Sequence, residues 1–309
     1  MTRPRLLVDC DPGLDDAVAL VAAAHLGDLV AITTVGGNAP LRDVTTNALL
    51  TCQLFGIDVE VHAGAARPLV AEPRHAPEIH GVSGFAGPDL PPLEREPAST
   101  DGIEFLIETI RAEDGLWLVP IGPMTNVALA FRAAPDLPGR LAGVSFMGGS
   151  ATFGNHGPVA EFNILVDPEA AAVVLGSGAR IHMAGLDLTH QFLVDDDLAN
   201  DIGVLGGRGA RVLADLMGSY LDQIEKVRGL RLGGLHDPCA VLAVTNPEVI
   251  GTEARHVDVE LTGTITRGMT VVDQRPGRSD RPNVNHGHTL DHGAARQLIL
   301  DAIAARDRG

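Results

Sequence analysis

The feature that most constrains the fold is a repeated alternation between short apolar runs and longer stretches rich in alanine and leucine. Residues 6–8 form an apolar run that ends in acidic residues and a Pro-Gly pair, and residues 17–26 then have helix-like composition. This order of strand, loop and helix predicts right-handed βαβ units around a parallel sheet. The same two kinds of segment continue along the chain, at residues 29–35, 41–55, 59–61, 103–110, 116–121, 127–134, 144–147 and 170–175.

Some segments depart from this alternation. Residues 64–98 are rich in Pro and Gly and too long for an ordinary connection, which predicts a loop over a site. Other segments predict an inserted helical cap, two strands of a peripheral sheet and a closing helix, at residues 195–232, 257–261, 269–272 and 293–305. Because no repeat or linker is visible, we predict one domain over residues 1–309. Its predicted class is α/β, with a mainly parallel central sheet and helices on both faces.

The charge balance argues against a nucleic acid partner. The 309 residues include 23 Lys+Arg and 40 Asp+Glu, which gives a formal net charge of −17, and Lys226 is the only lysine. A protein that follows a phosphate backbone needs clustered cations, so this balance favours a small neutral or cationic ligand. The hydrophobic content of 45% is enough for a large core and excludes a disordered chain.

Cysteine usage and hydropathy predict a cytoplasmic protein with no membrane segment. The three cysteines lie far apart without a CxxC pair, which fits a reducing compartment. The first apolar run stops at Asp9 and is too short for the core of a signal peptide. No run approaches the about 20 apolar residues that a membrane helix needs.

Four carboxylates follow the first predicted strand and predict a metal site. They belong to Asp9, Asp11, Asp15 and Asp16, and no Lys or Arg occurs between Arg5 and Arg42 to neutralise them. If the four converge, their repulsion must be relieved by raised pKa values, a distant Arg or a bound cation. Oxygen ligands without a nearby His or Cys favour Ca²⁺ or Mg²⁺ over zinc. The alternative is that two of the acids complement a helix N-terminus while the other two are solvated.

This acidic segment resembles the N-terminal signature of the inosine–uridine nucleoside hydrolase family, and the resemblance continues along nearly the whole chain. Each later motif is weak alone, whereas the ordered set is highly specific. The motifs are Gly-Gly-Asn at 36–38, Ile-His-Gly at 79–81 before Gly84, Gly-Pro-Met-Thr-Asn at 122–126, Met-Gly-Gly at 147–149, Asn155 with Glu-Phe-Asn at 161–163, Asp-Pro-Glu-Ala-Ala at 167–171, and His-Asp-Pro at 236–238.

The resemblance implies a nucleoside hydrolase-like, Rossmann-related fold and a tightly bound Ca²⁺. It implies that Asp11, Asp16, Asp237 and the carbonyl of Thr125 hold the ion, and that Asp11 is the general base on the metal-bound water. These ligands leave room for water and sugar hydroxyls, because Ca²⁺ takes six to eight oxygens. The residues expected to bind the substrate are Asp15, Asn38, His80, Asn155, Glu161, Phe162 and Asn163.

A second catalytic group is expected at His236. Glycosidic cleavage usually employs two carboxylates, but here a departing nitrogen base needs a proton donor distinct from Asp11. The family resemblance suggests His236, and general-acid catalysis is typically worth about 10²–10⁴-fold. Strand-like alternation is expected to place Glu161 and Asn163 on one face, with Phe162 on the other. A C-terminal group of histidines is expected to lie in solvated loops, at His286, His288 and His292.

The base preference is expected to be broad or pyrimidine-leaning. Aromatic residues are only 3% of the chain, and Trp117 lies in a predicted core strand, so the tryptophan clamp of purine-specific family members is missing. Looser stacking on the base could come from Phe85, Phe153, Phe162 or Tyr220. The resemblance further implies a role in nucleoside salvage and a homodimer or homotetramer.

Two other functions remain open from the sequence. A haloacid-dehalogenase-like Mg²⁺ phosphatase also begins with a strand and D-x-D, with Asp9 as nucleophile and Asp11 as acid, but it leaves the later motifs without roles. A non-catalytic, calcium-stabilised nucleoside-binding protein would use the same residues. Activity on a nitrophenyl phosphate would favour the phosphatase, and intact nucleoside after long incubation would favour the binding protein.

Overall fold

The computed structural model describes residues 3–85, 87, 89–275 and 281–307. Within these ranges an eight-stranded sheet has the order β3-β2-β1-β4-β5-β6-β12-β9. Only the β9–β12 pair of this sheet is antiparallel, so the predicted mainly parallel sheet is confirmed. Its strands are β1 (Arg5–Cys10), β2 (Asp28–Thr34), β3 (Glu60–Ala63), β4 (Leu116–Pro120), β5 (Gly143–Met147), β6 (Ile181–Ala184), β9 (Ile250–Arg255) and β12 (Val284–Leu290).

Helices cover both faces of this sheet, as predicted, and bury two apolar clusters against it. One cluster includes α1, α10, α11 and α12, and the other includes α4, α5 and α7. The central strand β1 is buried from Leu6 to Cys10, which explains its continuous apolar run. The helices are α1 (Leu14–Leu26), α2 (Leu41–Leu54), α3 (Pro77–His80), α4 (Gly102–Ala112), α5 (Thr125–Ala133), α6 (Phe162–Val166), α7 (Pro168–Leu175), α8 (Leu186–Thr189), α9 (Asp196–Gly203), α10 (Arg208–Arg228), α11 (Pro238–Thr245) and α12 (His292–Arg306).

The predicted additions to the sheet are present. The helical cap consists of α9 and the long α10, and the predicted closing helix is α12. The peripheral strands are β10 (Val257–Val259) and β11 (Thr270–Val272), which pair antiparallel. A further pair, β7 (Leu193–Val194) with β8 (Gly233–Gly234), ties the start of the cap to its end. In the described part of residues 64–98, the one helix is α3.

The expectation of solvated C-terminal histidines was wrong. His286 and His288 lie in β12, and His286 is buried with its Nε2 atom 3.6 Å from an Asp187 carboxylate oxygen. The strand was missed because its alternation contains Asn and His rather than apolar residues. His292 is exposed but begins α12. Among the described residues, no helix combines the length and the apolar character needed to cross a bilayer.

Candidate active site

The candidate site lies where β1, β2, β4 and β5 end. The carboxyl ends of parallel strands meet at one edge of a sheet, and this is where ligands bind in such folds. A cavity of about 150 Å³ opens at this edge. It is lined by Asp15, Asn38, Ala76, Glu78, Ile79, His80, Ile121, Met147, Asn155, His156, Glu161, Phe162, Asn163, Tyr220, Ile224, Val227, Arg228, His236 and Asp237.

Asp16 ties the end of β1 to the first turn of α1. Its Oδ1 atom accepts from the backbone N–H of Asp11 at 3.1 Å, and its Oδ2 atom accepts from Gly13 N–H at 2.9 Å. A carboxylate in the first turn is stabilised by the unpaired N–H groups and the helix dipole. Asp16 therefore has a structural role in addition to any ligand role. The other half of that alternative, that Asp9 and Asp11 are solvated, was wrong, because both side chains are fully buried.

Three buried carboxylates converge beside this turn. Asp15, Asp16 and Asp237 each offer an oxygen, and these atoms lie within 4.8 Å of one another. Burial, followed by the charge of Asp15, raises the pKa of Asp16 to about 7. Burial, and then the charges of Asp15 and Asp16, raises the pKa of Asp237 well above its ordinary value. The raised pKa values show that three ionised carboxylates repel one another here unless a cation or protons are present.

Asp11 lies against this group with one unpaired oxygen. Its Oδ2 atom accepts from Asn38 N–H at 2.6 Å, whereas its Oδ1 atom is buried without a hydrogen-bond partner. A Cβ atom at Gly37 or Gly122 would lie only 2.0 or 2.4 Å from these oxygens, so both positions require glycine. Burial, and then the charge of Asp16, raises the pKa of Asp11 well above its ordinary value.

This donor set fits a hard divalent cation. No Lys or Arg in the described ranges forms an ion pair with Asp11, Asp15, Asp16 or Asp237, so the part of the chain that is placed offers no compensating salt bridge. Four carboxylates with an unpaired buried oxygen are the ligand chemistry that Ca²⁺ and Mg²⁺ prefer. Thr125, the remaining predicted ligand, is the first residue of α5, and its hydroxyl donates to the Asp167 carboxylate at 2.6 Å.

Asp9 does not join this group. Its Oδ1 atom accepts from the Thr33 hydroxyl at 2.6 Å and from the Asn126 amide at 2.7 Å. The side chain is fully buried, and burial raises its pKa to about 7. Asn126 also accepts from Ala65 N–H at 2.7 Å, so it links β1 to the segment after β3. Its Oδ2 atom is buried without a hydrogen-bond partner, and the side chain is not part of the cavity lining. Asp9 therefore supports the strand ends.

The expectation of strand-like alternation at residues 161–163 was wrong. Glu161 is the N-cap of α6, and Phe162 and Asn163 are its first two helical residues. The Glu161 carboxylate accepts from the N–H groups of Gly149, Asn163 and Ile164 at 2.9–3.1 Å. Burial nevertheless raises its pKa to about 7. The helix start brings all three side chains, including Phe162, to the same cavity.

Two asparagines complete this side of the cavity. The Asn163 amide donates to the carbonyls of Ile121 at 2.9 Å and Met147 at 3.3 Å, which fixes its orientation between β4 and β5. The Asn155 side-chain oxygen accepts from Phe162 N–H at 3.0 Å. Fixed amide and carboxylate groups of this kind suit sugar hydroxyls, which both donate and accept.

The opposite side carries two histidines. Burial, and then the neighbouring charges of His190 and Arg228, lowers the pKa of His236 to about 3. Burial also lowers the pKa of His80, against the opposing charge of Asp15. The Tyr220 ring stacks on His80 with centroids 6.1 Å apart, and its hydroxyl donates to Gly234 O at 3.2 Å.

One face of α10 lines the outer end of the cavity, and the sequence analysis named only part of it. Ile224, Val227 and Arg228 follow Tyr220 at helical spacing on this face. The sequence predicted a helical cap over these residues but indicated only Tyr220 as a contact for the base. Of the aromatic candidates for base stacking, Phe162 and Tyr220 line the cavity, whereas Phe85 and Phe153 are outside its lining.

Cys10 is a buried packing residue, and burial raises the pKa of its thiol well above the ordinary value.

The sequence model of the family described as inosine-uridine preferring nucleoside hydrolase matches residues 6–297. The chain belongs to this family. It is therefore an enzyme that hydrolyses ribonucleosides, which excludes the phosphatase and the non-catalytic binding protein as its main function.

Relatives within the family differ in the base that their names specify. The inosine-uridine preferring nucleoside hydrolase of Leishmania major is 39% identical over 305 residues, covering 97% of each chain. The pyrimidine-specific ribonucleoside hydrolase RihB of Escherichia coli is 37% identical over 294 residues, covering 94% of each chain. The purine-preferring ribonucleoside hydrolase of Gardnerella vaginalis has a TM-score of 0.92 at 28% identity, over 98% of this chain and 99% of that one.

The structure of this nucleoside hydrolase brings nearly all predicted site residues to one edge of the sheet. All seven predicted substrate-binding residues line the cavity, as do His236 and Asp237. Asp11 and Asp16 lie directly beside this group through their hydrogen bonds with Asn38. Sequence reasoning missed the roles of Asn126, Thr189, Ile224 and Arg228. Asn126 lies in the motif at 122–126, and Ile224 and Arg228 lie in the predicted helical cap, whereas Thr189 lies in no recognised pattern.

Proposed function

We propose that this nucleoside hydrolase is Ca²⁺-dependent and converts a nucleoside and water into ribose and free base, with a broad or pyrimidine-leaning base preference. The observation that carries the metal assignment is the unpaired, buried Oδ1 atom of Asp11 beside three converging carboxylates. We assign Asp11, Asp16, Asp237 and the Thr125 carbonyl as ligands. When bound, Ca²⁺ polarises the oxygen ligands around it and offsets the repulsion among the carboxylates.

Asp11 is assigned as the general base. Its unpaired Oδ1 atom is assigned to the ion, and its Oδ2 atom, which Asn38 N–H fixes at 2.6 Å, is assigned to take the proton of the attacking water. The water oxygen then forms a bond to the anomeric carbon as the bond to the base nitrogen breaks.

Ribose is assigned to the side of the cavity formed by Asp15, Asn155, Glu161 and Asn163. These groups are buried or half-buried and are fixed by backbone hydrogen bonds before any substrate arrives. Preorganised polar groups stabilise charge at the sugar ring without reorganising during the reaction. Phe162 supplies an apolar contact next to them, and Asn38 and His80 line the same space.

His236 is assigned as the proton donor to the departing base. Burial lowers the pKa of His236 to about 3 in the free protein, so the ring is neutral there and takes up a proton from water before it gives one to the base and becomes neutral again. The electron pair of the broken bond moves onto the base, and this developing negative charge favours a proton on the adjacent ring. The proton passes from His236 to a nitrogen of the base, which leaves as a neutral molecule.

The cavity supports the proposed base preference because its outer end is not an aromatic clamp. Ile224 and Val227 offer apolar contact there, and Tyr220 offers one ring edge held by its hydrogen bond to Gly234. A flat aromatic sandwich would favour large purine rings, whereas a mixed surface discriminates less by size. The pyrimidine-specific relative at 37% identity is consistent with this preference.

A panel of nucleosides with detection of released ribose tests the proposal. Uridine, cytidine, inosine, guanosine and adenosine are each incubated with the full chain in the presence of Ca²⁺. We expect ribose from all of them, with kcat/KM for uridine at least equal to that for inosine. Ribose from purine nucleosides alone would contradict the base preference. Intact nucleosides throughout would contradict the hydrolase activity itself.

A further inference from the structure

The imidazole of His236 is held from behind by a residue that does not line the cavity. The hydroxyl of Thr189, the last residue of α8, lies 2.7 Å from His236 Nδ1 and is completely buried. We propose that Thr189 is a positioning residue that keeps the Nε2 atom of His236 directed at the departing base. This inference rests on the proposed role of His236 as proton donor.

A hydroxyl is the group that can hold this ring in both of its protonation states. It donates to Nδ1 when that atom is unprotonated, and it accepts when Nδ1 carries hydrogen. In the described part of the chain, the Thr189 side chain makes no hydrogen bond other than this one. In the neutral ring, donation to Nδ1 satisfies the hydroxyl hydrogen and leaves the ring proton on Nε2.

The geometry suits proton transfer to the base. As the glycosidic bond breaks, its electron pair moves onto the base, and the protonated ring gives its Nε2 hydrogen to a base nitrogen. The ring keeps its Nδ1 hydrogen, which Thr189 Oγ1 accepts. Nε2 is the ring nitrogen available for this step because Nδ1 is occupied and His236 lines the cavity.

The support for Thr189 is itself rigid. Asp187, two residues earlier in α8, accepts from Ala151 N–H at 2.6 Å and from the Thr152 hydroxyl at 2.7 Å. These bonds fasten α8 to the segment after β5. Because α8 cannot shift easily, the Thr189 hydroxyl is fixed relative to the cavity.

The segment that carries His236 is fastened to the same region. Strand β8 pairs with β7, and the Leu235 N–H donates to Phe192 O at 2.8 Å. A Cβ atom at Gly234 would lie 2.5 Å from the Cε1 atom of His236, so the ring packs directly on this glycine. The backbone positions are therefore set by other contacts, and the His190 ring lies 5.4 Å from the His236 ring, centroid to centroid. Among the described residues, the Thr189 hydroxyl is the side-chain group that hydrogen-bonds to the ring, so it distinguishes Nδ1 from Nε2.

The test compares Thr189→Val, which removes the hydroxyl at nearly constant shape, with Thr189→Ser, which keeps it. Turnover is measured for uridine and inosine, whose bases need a proton, and for nitrophenyl riboside, whose leaving group does not. We expect Thr189→Val to lower kcat for uridine and inosine about 10- to 100-fold, a part of the general-acid effect. The ratio of nitrophenyl riboside to uridine turnover should rise accordingly, and Thr189→Ser should restore the wild-type ratio to within about threefold.

The matched control is Thr51→Val, which removes a buried hydroxyl that donates to Asn47 O at 2.8 Å in α2. We expect it to leave the substrate ratio unchanged. Equal losses on all three substrates with Thr189→Val would overturn the inference, because they would indicate a structural role. An unchanged ratio would overturn it as well.

A nuclear magnetic resonance measurement separates this inference from the proposed role of His236. In protein labelled with ¹⁵N-histidine, the signal missing from His236→Ala identifies the ring. We expect a proton on Nε2 in the wild type and a mixture of both tautomers in Thr189→Val. An Nδ1-protonated ring in the wild type would overturn the positioning role. If His236→Ala lowers turnover of all three substrates equally, the proposed role of His236 as proton donor is wrong, whatever the tautomer measurement shows.

Discussion

The Thr125 hydroxyl donates to the Asp167 carboxylate at 2.6 Å, and both side chains are buried. The same Asp167 oxygen accepts from Leu69 N–H at 2.9 Å, and the other oxygen caps α7 through Ala170 N–H. One carboxylate thus joins the start of α5, the start of α7 and the segment after β3. We infer that this carboxylate, together with strand β4, positions the carbonyl of Thr125 that is proposed as a metal ligand.

Asp167→Ala should therefore weaken metal binding although Asp167 is not a ligand. Groups that orient ligands typically contribute about 10–100-fold in metal affinity, and we expect a loss of that size. The variant should also lose about 2–4 kcal/mol of unfolding free energy, because a cap and two further bonds to a carboxylate disappear. Calorimetric titration with Ca²⁺ measures the first effect and urea unfolding the second. Wild-type affinity for Ca²⁺ in a folded Asp167→Ala protein would refute the positioning role.

Asp11→Ala should abolish turnover of every nucleoside, by at least about 10³-fold in kcat, because a proposed ligand and the proposed base are lost together. The matched variant is Asp9→Asn, whose remaining oxygen can still accept from Thr33 and Asn126. We expect Asp9→Asn to keep kcat within about tenfold of wild type. Ribose release from uridine measures both variants. A folded Asp11→Ala protein with near-normal turnover would remove Asp11 from the mechanism.

His236→Ala should separate substrates by their leaving group. We expect losses of about 10²–10⁴-fold for uridine and inosine and much smaller losses for nitrophenyl riboside, which leaves without a proton. Steady-state kinetics on the three substrates provides the comparison. Losses of equal size would mean that the ring supports the neighbouring Asp237 rather than the departing base.

We expect His182 to make the stability of the protein depend on pH. Both of its ring nitrogens are buried without a partner, and its ring meets the edge of Trp117 at 5.3 Å. Burial, and then the charge of Arg180, lowers its pKa to about 4 from an ordinary 6.5. As pH falls, the unfolded chain takes up this proton first. The stabilisation is therefore complete above pH 6.5 and is lost between pH 6.5 and pH 4.

His182→Phe should flatten this pH dependence. After discounting for partial exposure, we expect the wild type to lose about 1–2 kcal/mol more than the variant between pH 7 and pH 5. Urea unfolding at the two pH values measures the difference. The control is His292→Ala, an exposed position that should follow the wild-type profile. Identical slopes for wild type and His182→Phe would show that His182 does not contribute.

Strands β1 to β5 of the main sheet could be predicted from the sequence because each carries a local apolar pattern, whereas β6, β9 and β12 were not predicted. Strand β1 has the short apolar run Leu6-Leu7-Val8, whereas helix α1 is a longer segment rich in alanine. Strand β12 was missed because it contains Asn285, His286 and His288, whose burial depends on partners far away in the chain. Burial of a polar side chain by a tertiary contact leaves no periodic signal.

The site could be predicted only as a list of motif positions. The family motifs named most residues that line the cavity. The two-residue spacing between Glu161 and Asn163, however, fits both an extended strand and the start of a helix. The carboxylate of Glu161 decides between them, because it caps α6 through three N–H groups. Thr189 contacts His236 across a long sequence separation, so no local pattern indicates it. Asn126 lies in the motif at 122–126, but its bond to Asp9 is also distant in sequence and could not be predicted from the motif.

The dependence of activity on one bound ion tests the account most directly. The protein is exhaustively chelated, its metal content is measured by elemental analysis, and ribose release from uridine is followed as Ca²⁺ is added back. We predict one Ca²⁺ per chain before chelation, loss of activity on its removal, and recovery that saturates at one equivalent. Full activity in protein that contains no divalent metal would contradict the account.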